Sequence, residues 1–445
     1  MCPSYMATRD EKHSTRGRAH ALFEMLQGEV LGKGSDLWDD HDVKETLDLC
    51  LSCKACKSEC PVQVDIATYK SEFMSHFYEK RMRPLNAYAF GYIDRWARMA
   101  SFAPEVFNLG LKIPGVAAVS KWVLGIPEQR EIPEFAPYSF VSTLRKNTGF
   151  TDKQKLKSIN VMLWPDTFNN YFQPQVSESA RRVLDDAGFN VVVPREHVCC
   201  GRPLYDFGFL DEAKRYMRRN LDRIGAEIDA GMPVVVLEPS CASVFRDDLK
   251  DLLPDDERAQ KFSRQTYLLS EFLEKFAPEW KPTEWKAKTV VHGHCHHKAL
   301  MKMTAEEAVL RRMGADFTTL DSGCCGMAGP FGFEKEKYEV SQTLANRVLL
   351  PAVRSAGETD VLLTDGFSCK EAIHQNSSRH GLHLAEVLDL ANHPERDTVA
   401  PEELARRPLV EARARARRGI AVGAGIVAVA AVGAYVVARW FGRRL

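Results

Sequence analysis

The chain has 445 residues, enough for roughly two to four domains of ordinary size. Hydrophobic residues make up 45% of it and charged ones 27%, which excludes a disordered body. Sixty Lys and Arg balance sixty Asp and Glu, so no global basic field draws the protein to nucleic acid.

The twelve Cys are clustered: Cys50, Cys53, Cys56 and Cys60, then Cys199–Cys200 and Cys324–Cys325, with single ones between. Adjacent pairs suit a disulfide framework poorly, and the chain opens polar and charged, unlike a signal peptide. These features predict a reducing compartment in which thiolates are kept for metal.

In chain order, Leu22, Met25 and Leu26 form an apolar stripe at helix spacing. Cys50-x2-Cys53-x2-Cys56-x3-Cys60-Pro61 is the bacterial ferredoxin run. In it three thiolates grip one [4Fe–4S] cubane, and in two-cluster proteins the fourth Cys reaches the other cluster. Zinc sites use separated Cys-x2-Cys knuckles instead. Cys2-Pro3 looks like the end of a second such run whose first three Cys are absent. Cys2 would then close the cluster held by Cys50, Cys53 and Cys56, and Cys60 would face a site completed by a partner. The alternative is that Cys60 serves the only cluster and Cys2 is idle. Ile66, Tyr69, Phe73 and Phe77 follow on one helix face. The expected helical ferredoxin-type domain covers 1–83, and a partly helical connector covers 84–157.

From 158 short apolar strands alternate with helices: Val161–Trp164, Val191–Val193, Val234–Leu237, then Thr289–Val291, Phe317–Leu320 and Val361–Leu363. That order predicts parallel sheets with helices on their faces. The residues repeat as well: Cys199-Cys200-Gly201 answers to Cys324-Cys325-Gly326, and Ser240-Cys241 to Ser368-Cys369. Two tandem α/β cysteine-rich repeats, 158–285 and 286–395, are expected. Their ligands should gather at the carboxyl ends of the strands.

A basic linker, 396–418, leads into twenty uncharged residues, Gly419–Ala438, about 30 Å as a helix. Residues 401–445 hold nine Arg and three Glu. Arg413, Arg415, Arg417 and Arg418 before the apolar stretch, with Trp440 at its far end, predict a transmembrane anchor over 419–440. The body would lie on the cytoplasmic face of the cell membrane. The fold class expected is therefore α/β with an all-α ferredoxin-like N-terminal domain and a C-terminal transmembrane helix.

The N-terminal residues Cys2-Pro3-Ser4-Tyr5-Met6-Ala7-Thr8-Arg9-Asp10-Glu11 and Ser14–Ala19 resemble the iron–sulfur half of FAD-linked D-2-hydroxyacid dehydrogenases. That half is also similar to the iron–sulfur subunits of glycolate oxidase and of anaerobic glycerol-3-phosphate dehydrogenase. The fused members carry an FAD-binding domain ahead of the point where this chain starts. The resemblance implies an electron-transfer subunit with FAD on a partner dehydrogenase subunit, and with quinone or another carrier as acceptor. No G-x-G-x-x-G dinucleotide motif appears in the sequence.

Cys199-Cys200-Gly201 with Cys241, and Cys295 with Cys324-Cys325-Gly326 and Cys369, resemble the CCG domains of heterodisulfide reductases. In those domains five Cys hold a noncubane iron–sulfur centre. Here the first repeat has Trp164-Pro165-Asp166 where a leading Cys falls, and neither repeat has a Cys three after its Ser-Cys. Three thiolates would need help from His197, a carboxylate or a substrate. His294 and His296 flank Cys295 as further candidates. One [4Fe–4S] cluster is expected near the N-terminus, with a second metal or cluster in the CCG region. The competing functions are a thiol/disulfide reductase acting at a CCG-bound centre and a metal-binding chain without redox activity.

Overall fold

Capping side chains set the N-terminal helices. The helix Pro3–Thr8 opens on proline directly after Cys2, where no N–H is needed. Ser14 starts Thr15–Gln27, Asp40 starts His41–Asp48 and Asp65 starts Ile66–Phe77, each accepting a first-turn N–H. Met25, Val43, Leu47, Phe73 and Phe77 close a small core between them. Within the predicted stripes Leu26 and Tyr69 face solvent instead. A computed structural model describes residues 2–28, 36–148, 159–393 and 399–441, with the backbone alone at 147–148 and 422–441.

The region expected to be a partly helical connector carries the helices Leu85–Gly91, Ile93–Ala100, Pro104–Lys112, Pro114–Val123 and Phe140–Thr148. Its expected end, 149–157, and the expected start of the first repeat at 158 lie outside the described residues.

Two parallel sheets follow. The first contains β1 (Asn160–Trp164), β2 (Asn190–Val192), β3 (Val234–Val236) and β4 (Thr266–Leu268) in the order β2-β1-β3-β4. The second contains β5 (Thr289–Val291), β6 (Phe317–Thr319) and β7 (Val361–Leu363) in the order β6-β5-β7. Every pairing is parallel. In each sheet the chain starts at the centre, steps to one side and then crosses to the other. The strand order therefore reverses at β1 and at β5, and open α/β sheets bind ligands at that point.

The sheets share a core. Val161, Leu163 and Val235 belong to the same buried cluster as Val291, Val361 and Leu363. The helices Pro174–Asp186 and Leu384–Asn392 pack against one another. Asp389 accepts from Arg182 Nε at 2.8 Å and from Ser179 Oγ at 2.7 Å across that joint. Truncating a side chain such as Leu163 in this core costs about 2–5 kcal/mol.

The expected membrane anchor is not supported. Among the described residues no helix is long and apolar enough to cross a membrane. The last helix, Pro401–Phe441, begins as a polar helix fastened to the body. Arg413 Nη1 lies 3.0 Å from Glu134 Oε2, and Arg417 Nε 2.9 Å from Glu105 Oε2. Two of the arginines read as a membrane flank, Arg413 and Arg417, are thus partners of the domain carboxylates Glu105 and Glu134. The side chains of 422–441, Trp440 among them, and all of 442–445 lie outside the described residues, as does the linker stretch 396–398. The cytoplasmic membrane face inferred from a single-pass anchor falls with it.

Candidate iron–sulfur centres

The loop 50–56 is wound so tightly that Ser52 (φ 51°) and Lys54 (φ 58°) take left-handed conformations. Such strain persists where surroundings over-determine it. Lys54 supplies the reason, because its fully buried Nζ lies 3.0 Å from Asp65, 2.6 Å from Asp247 and 2.5 Å from Asp248. Lys70 Nζ donates to the Cys50 carbonyl at 2.7 Å. These contacts turn Cys50, Cys53 and Cys56 towards one small cavity, and Cys2, leading into the first helix, lines the same cavity with Arg18. Cys60 does not line it. Its sulfur sits among the backbone N–H groups of Val64, Val62 and Gln63, which hold its thiol below the usual range.

Arg18 decides how well this cavity suits an anionic cluster. The guanidinium is 1% exposed, and it donates to Cys2 Sγ, Ser4 Oγ and Thr46 O, each at 3.0 Å. Among the described residues no carboxylate is within ion-pair distance of it. A buried cation needs a counter-charge, and four thiolates on a cluster would supply one. Burial opposes ionisation of Cys2, yet Arg18 and the hydrogen bonds from Ser4 and the Tyr5 N–H outweigh it and hold the thiol below its usual range. Burial pushes Cys56 up to about 11.

In the first repeat Cys199–Cys200 follows β2 and Cys241 follows β3. Cys200 Sγ and Cys241 Sγ are 2.9 Å apart. Gly201 takes φ 77° to make the turn after the pair. Asp166, at the place of the missing Cys, is spent as a helix cap for the Phe168 and Asn169 N–H groups. His197 faces away, towards Asp94 and Tyr171.

In the second repeat Cys295 follows β5, Cys324–Cys325 follows β6 and Cys369 follows β7. Cys324 lies beside Cys295 and Cys325, and Cys325 beside Cys369. The four thiols thus form one chain of contacts. Motif spacing does not single out His292. It is the first residue beyond β5, its Nδ1 meets Ser322 Oγ at 2.8 Å, and its buried Nε2 has no partner. Its ligand nitrogen lies within 4.8 Å of the sulfurs of Cys325 and Cys369. The signal available was its place at the switch point, immediately after an apolar strand.

His294, Cys295 and His296 form a second such group. Burial pushes His294 down to about 3, so it stays neutral. His296 Nε2 donates to Ser52 O at 2.9 Å, and Arg202 Nη2 donates to the same oxygen at 2.9 Å. One carbonyl of the ferredoxin-type loop therefore joins both repeats.

Between the repeats lies a cavity of about 170 Å³. Cys199, Cys200, Cys241, Cys295, His294 and His296 reach it, and Phe168, Phe172, Phe333 and Phe367 wall it. Glu238 also lines it, and burial together with Asp166 pushes its carboxyl up to about 7.

Comparison with known proteins accounts for both halves. Residues 1–64 match the 4Fe-4S dicluster domain, and residues 166–246 and 289–374 match the cysteine-rich (CCG) domain. This is an iron–sulfur protein. The chain is 26% identical over 430 residues to D-2-hydroxyglutarate dehydrogenase of Pseudomonas putida, covering 87% of this chain and 41% of that protein. It is 29% identical over 294 residues to one subunit of the anaerobic glycerol-3-phosphate dehydrogenase of Escherichia coli, covering 64% of this chain and 72% of that subunit. It is 24% identical over 398 residues to the glycolate oxidase iron-sulfur subunit of Escherichia coli, covering 88% and 91%. The chain thus spans about four-tenths of the D-2-hydroxyglutarate dehydrogenase and most of the two stand-alone subunits. These likenesses support an electron-transfer role, with iron–sulfur clusters as the cofactors.

Proposed function

We propose that this chain is the iron–sulfur electron-transfer part of an FAD-dependent 2-hydroxyacid or glycerol-3-phosphate dehydrogenase, with the flavin on a partner. The observation that carries the proposal is the convergence of Cys2, Cys50, Cys53 and Cys56 on one cavity beside a buried, uncompensated Arg18. These four residues would hold a [4Fe–4S] cluster, and Cys60 would face a second one completed by the partner. Such a cluster, when bound, supplies one-electron transfer. The chain's own residues fix where it sits. Arg18 balances its charge, Lys70 fixes the Cys50 backbone, and Lys54 locks the loop against the first repeat. In the second repeat Cys295, Cys324, Cys325 and Cys369 would hold a further metal or cluster with His292. The first repeat offers Cys199, Cys200 and Cys241.

The test uses anaerobically purified full-length chain mixed with candidate FAD-binding dehydrogenases from the same genome. Addition of D-2-hydroxyglutarate, D-lactate, glycolate or glycerol-3-phosphate to the right complex reduces the cluster and gives its EPR signal. Failure of every flavoprotein to bind, with no substrate reducing the chain, would refute the proposal.

The inter-repeat cavity favours a second reading, a thiol/disulfide reductase. The cavity brings thiols from both repeats to an aromatic-walled space. On that reading a small thiol added to the oxidised protein perturbs an EPR signal that depends on Cys324 and Cys325.

A further inference from the structure

Close in the chain to the second repeat's thiols lies a cluster that neither reading uses. His297, Glu306 and Asp365 come from three different elements, and their ligand atoms all lie within 4.8 Å of one another. They are 1%, 2% and 7% exposed. His297 Nδ1 is 3.5 Å from Glu306 Oε2. Among the described residues no Lys or Arg is within ion-pair distance of either carboxylate.

Two observations distinguish this cluster from a satisfied polar network. The buried atoms His297 Nε2 and Glu306 Oε2 have no hydrogen-bond partner. Almost every buried polar atom in a native protein has one, and an exception calls for an unseen water or ion. The second is charge: two carboxylates with neutral imidazoles carry −2 in a dry interior, which is costly unless neutralised.

We infer that His297, Glu306 and Asp365 bind a divalent transition-metal ion, zinc being the best match, at a site separate from the cysteine centres. One imidazole and two carboxylates make a mixed nitrogen–oxygen set suited to zinc. Calcium and magnesium prefer oxygen alone and in larger number. His383 is the orienting neighbour, not a ligand. Its Nδ1 accepts the Ala385 N–H at 2.9 Å, its Nε2 donates to Leu237 O at 3.1 Å, and its ring lies 3.5 Å from Asp365 Oδ1. Asp365 also accepts the Leu384 N–H at 2.9 Å. The position explains a use for the ion. His297 is two residues after Cys295 and Asp365 four before Cys369, so one metal ties together two thiol-bearing loops of the second repeat.

The test is zinc and iron content of the full chain, equilibrated with zinc and then dialysed, with X-ray absorption at the zinc edge. About one zinc per chain is expected, with nitrogen and oxygen neighbours at about 2.0–2.2 Å and no sulfur near about 2.3 Å. Glu306→Gln combined with Asp365→Asn removes the zinc and leaves iron unchanged. Absence of zinc, or a sulfur shell placing it on the cysteines, overturns the inference. The absorption result on the unmodified protein decides the matter even where the double variant fails to fold.

Discussion

The Nε2 of His296 donates to the carbonyl oxygen of Ser52 across 2.9 Å, joining the second repeat to the loop that carries Cys50 and Cys53. Arg202 of the first repeat meets the same oxygen, and it also pairs with Asp206 and Asp248, each at 3.0 Å. Replacing His296 by Leu leaves Ser52 O one buried donor, so the loss is about 1 kcal/mol. Arg202→Met also removes the partner of the part-exposed Asp206 and one of the two cations on Asp248, which keeps Lys54, and costs about 1.5–3 kcal/mol. Thermal denaturation of the two variants should give that order, and equal losses would show that the junction is not organised around Arg202.

Lys54→Met removes the charge shared by Asp65, Asp247 and Asp248. A loss of about 3–5 kcal/mol is expected, with Lys57, 2.7 Å from Asp247, recovering part of it. Because Lys54 sets the loop geometry, iron content should fall along with stability. A variant that melts early but keeps full iron would separate the loop anchor from the cluster.

The two glycines that follow the Cys pairs should respond differently to alanine. Gly326 has φ 83°, and a Cβ there would stand 2.2 Å from the Ser341 carbonyl oxygen. At Gly201, φ 77°, the nearest atom would be 3.6 Å away. Gly201→Ala should cost only the left-handed penalty, about 1–2 kcal/mol. Gly326→Ala should cost clearly more and disorder the Cys324–Cys325 turn. Urea unfolding of both variants checks the ranking.

Glu105 and Glu134 hold the 413–417 turn of the last helix, whose start is held by Glu402 on Arg379. Glu105→Gln leaves Arg413 and Arg417 with Glu134 alone. Amide exchange over 411–418 should then rise roughly 3–10-fold, about 1 kcal/mol of local opening. Burial opposes ionisation of Glu134, but the Lys112 hydrogen bond and the Arg413 guanidinium hold it below the usual carboxylate range. Its contribution is therefore complete above the unfolded-chain value of about 4.3 and is lost as pH falls through the lower folded value. Protection of this helix, corrected for intrinsic exchange rates, should decline on acidification while that of the sheet core persists.

Particular residues show what the sequence carries and what it hides. The tandem sheets are legible because short Val-rich strands recur with Cys-Cys-Gly turns at matching places. β4 is not, since Thr266-Tyr267-Leu268 is three residues between two helices. The helices of 85–123 escape a periodicity test because they leave Trp96, Phe107 and Trp122 exposed. The membrane reading used length and absence of charge over 419–438. What Arg413 and Arg417 do depends on Glu105, some three hundred residues earlier, and no local window contains both. His292 and the His297–Glu306–Asp365 cluster fail for the same reason, because their meaning lies in distances between elements.

The most direct test of the account is iron, acid-labile sulfide and reduced-state EPR on the anaerobically purified Cys2→Ala and Cys60→Ala chains. The geometry puts Cys2, not Cys60, in the cavity with Cys50, Cys53 and Cys56. Cys2→Ala should therefore lose about four iron per chain and the cubane signal, while Cys60→Ala keeps both. The reverse pattern, a cluster that survives without Cys2 and vanishes without Cys60, would contradict it.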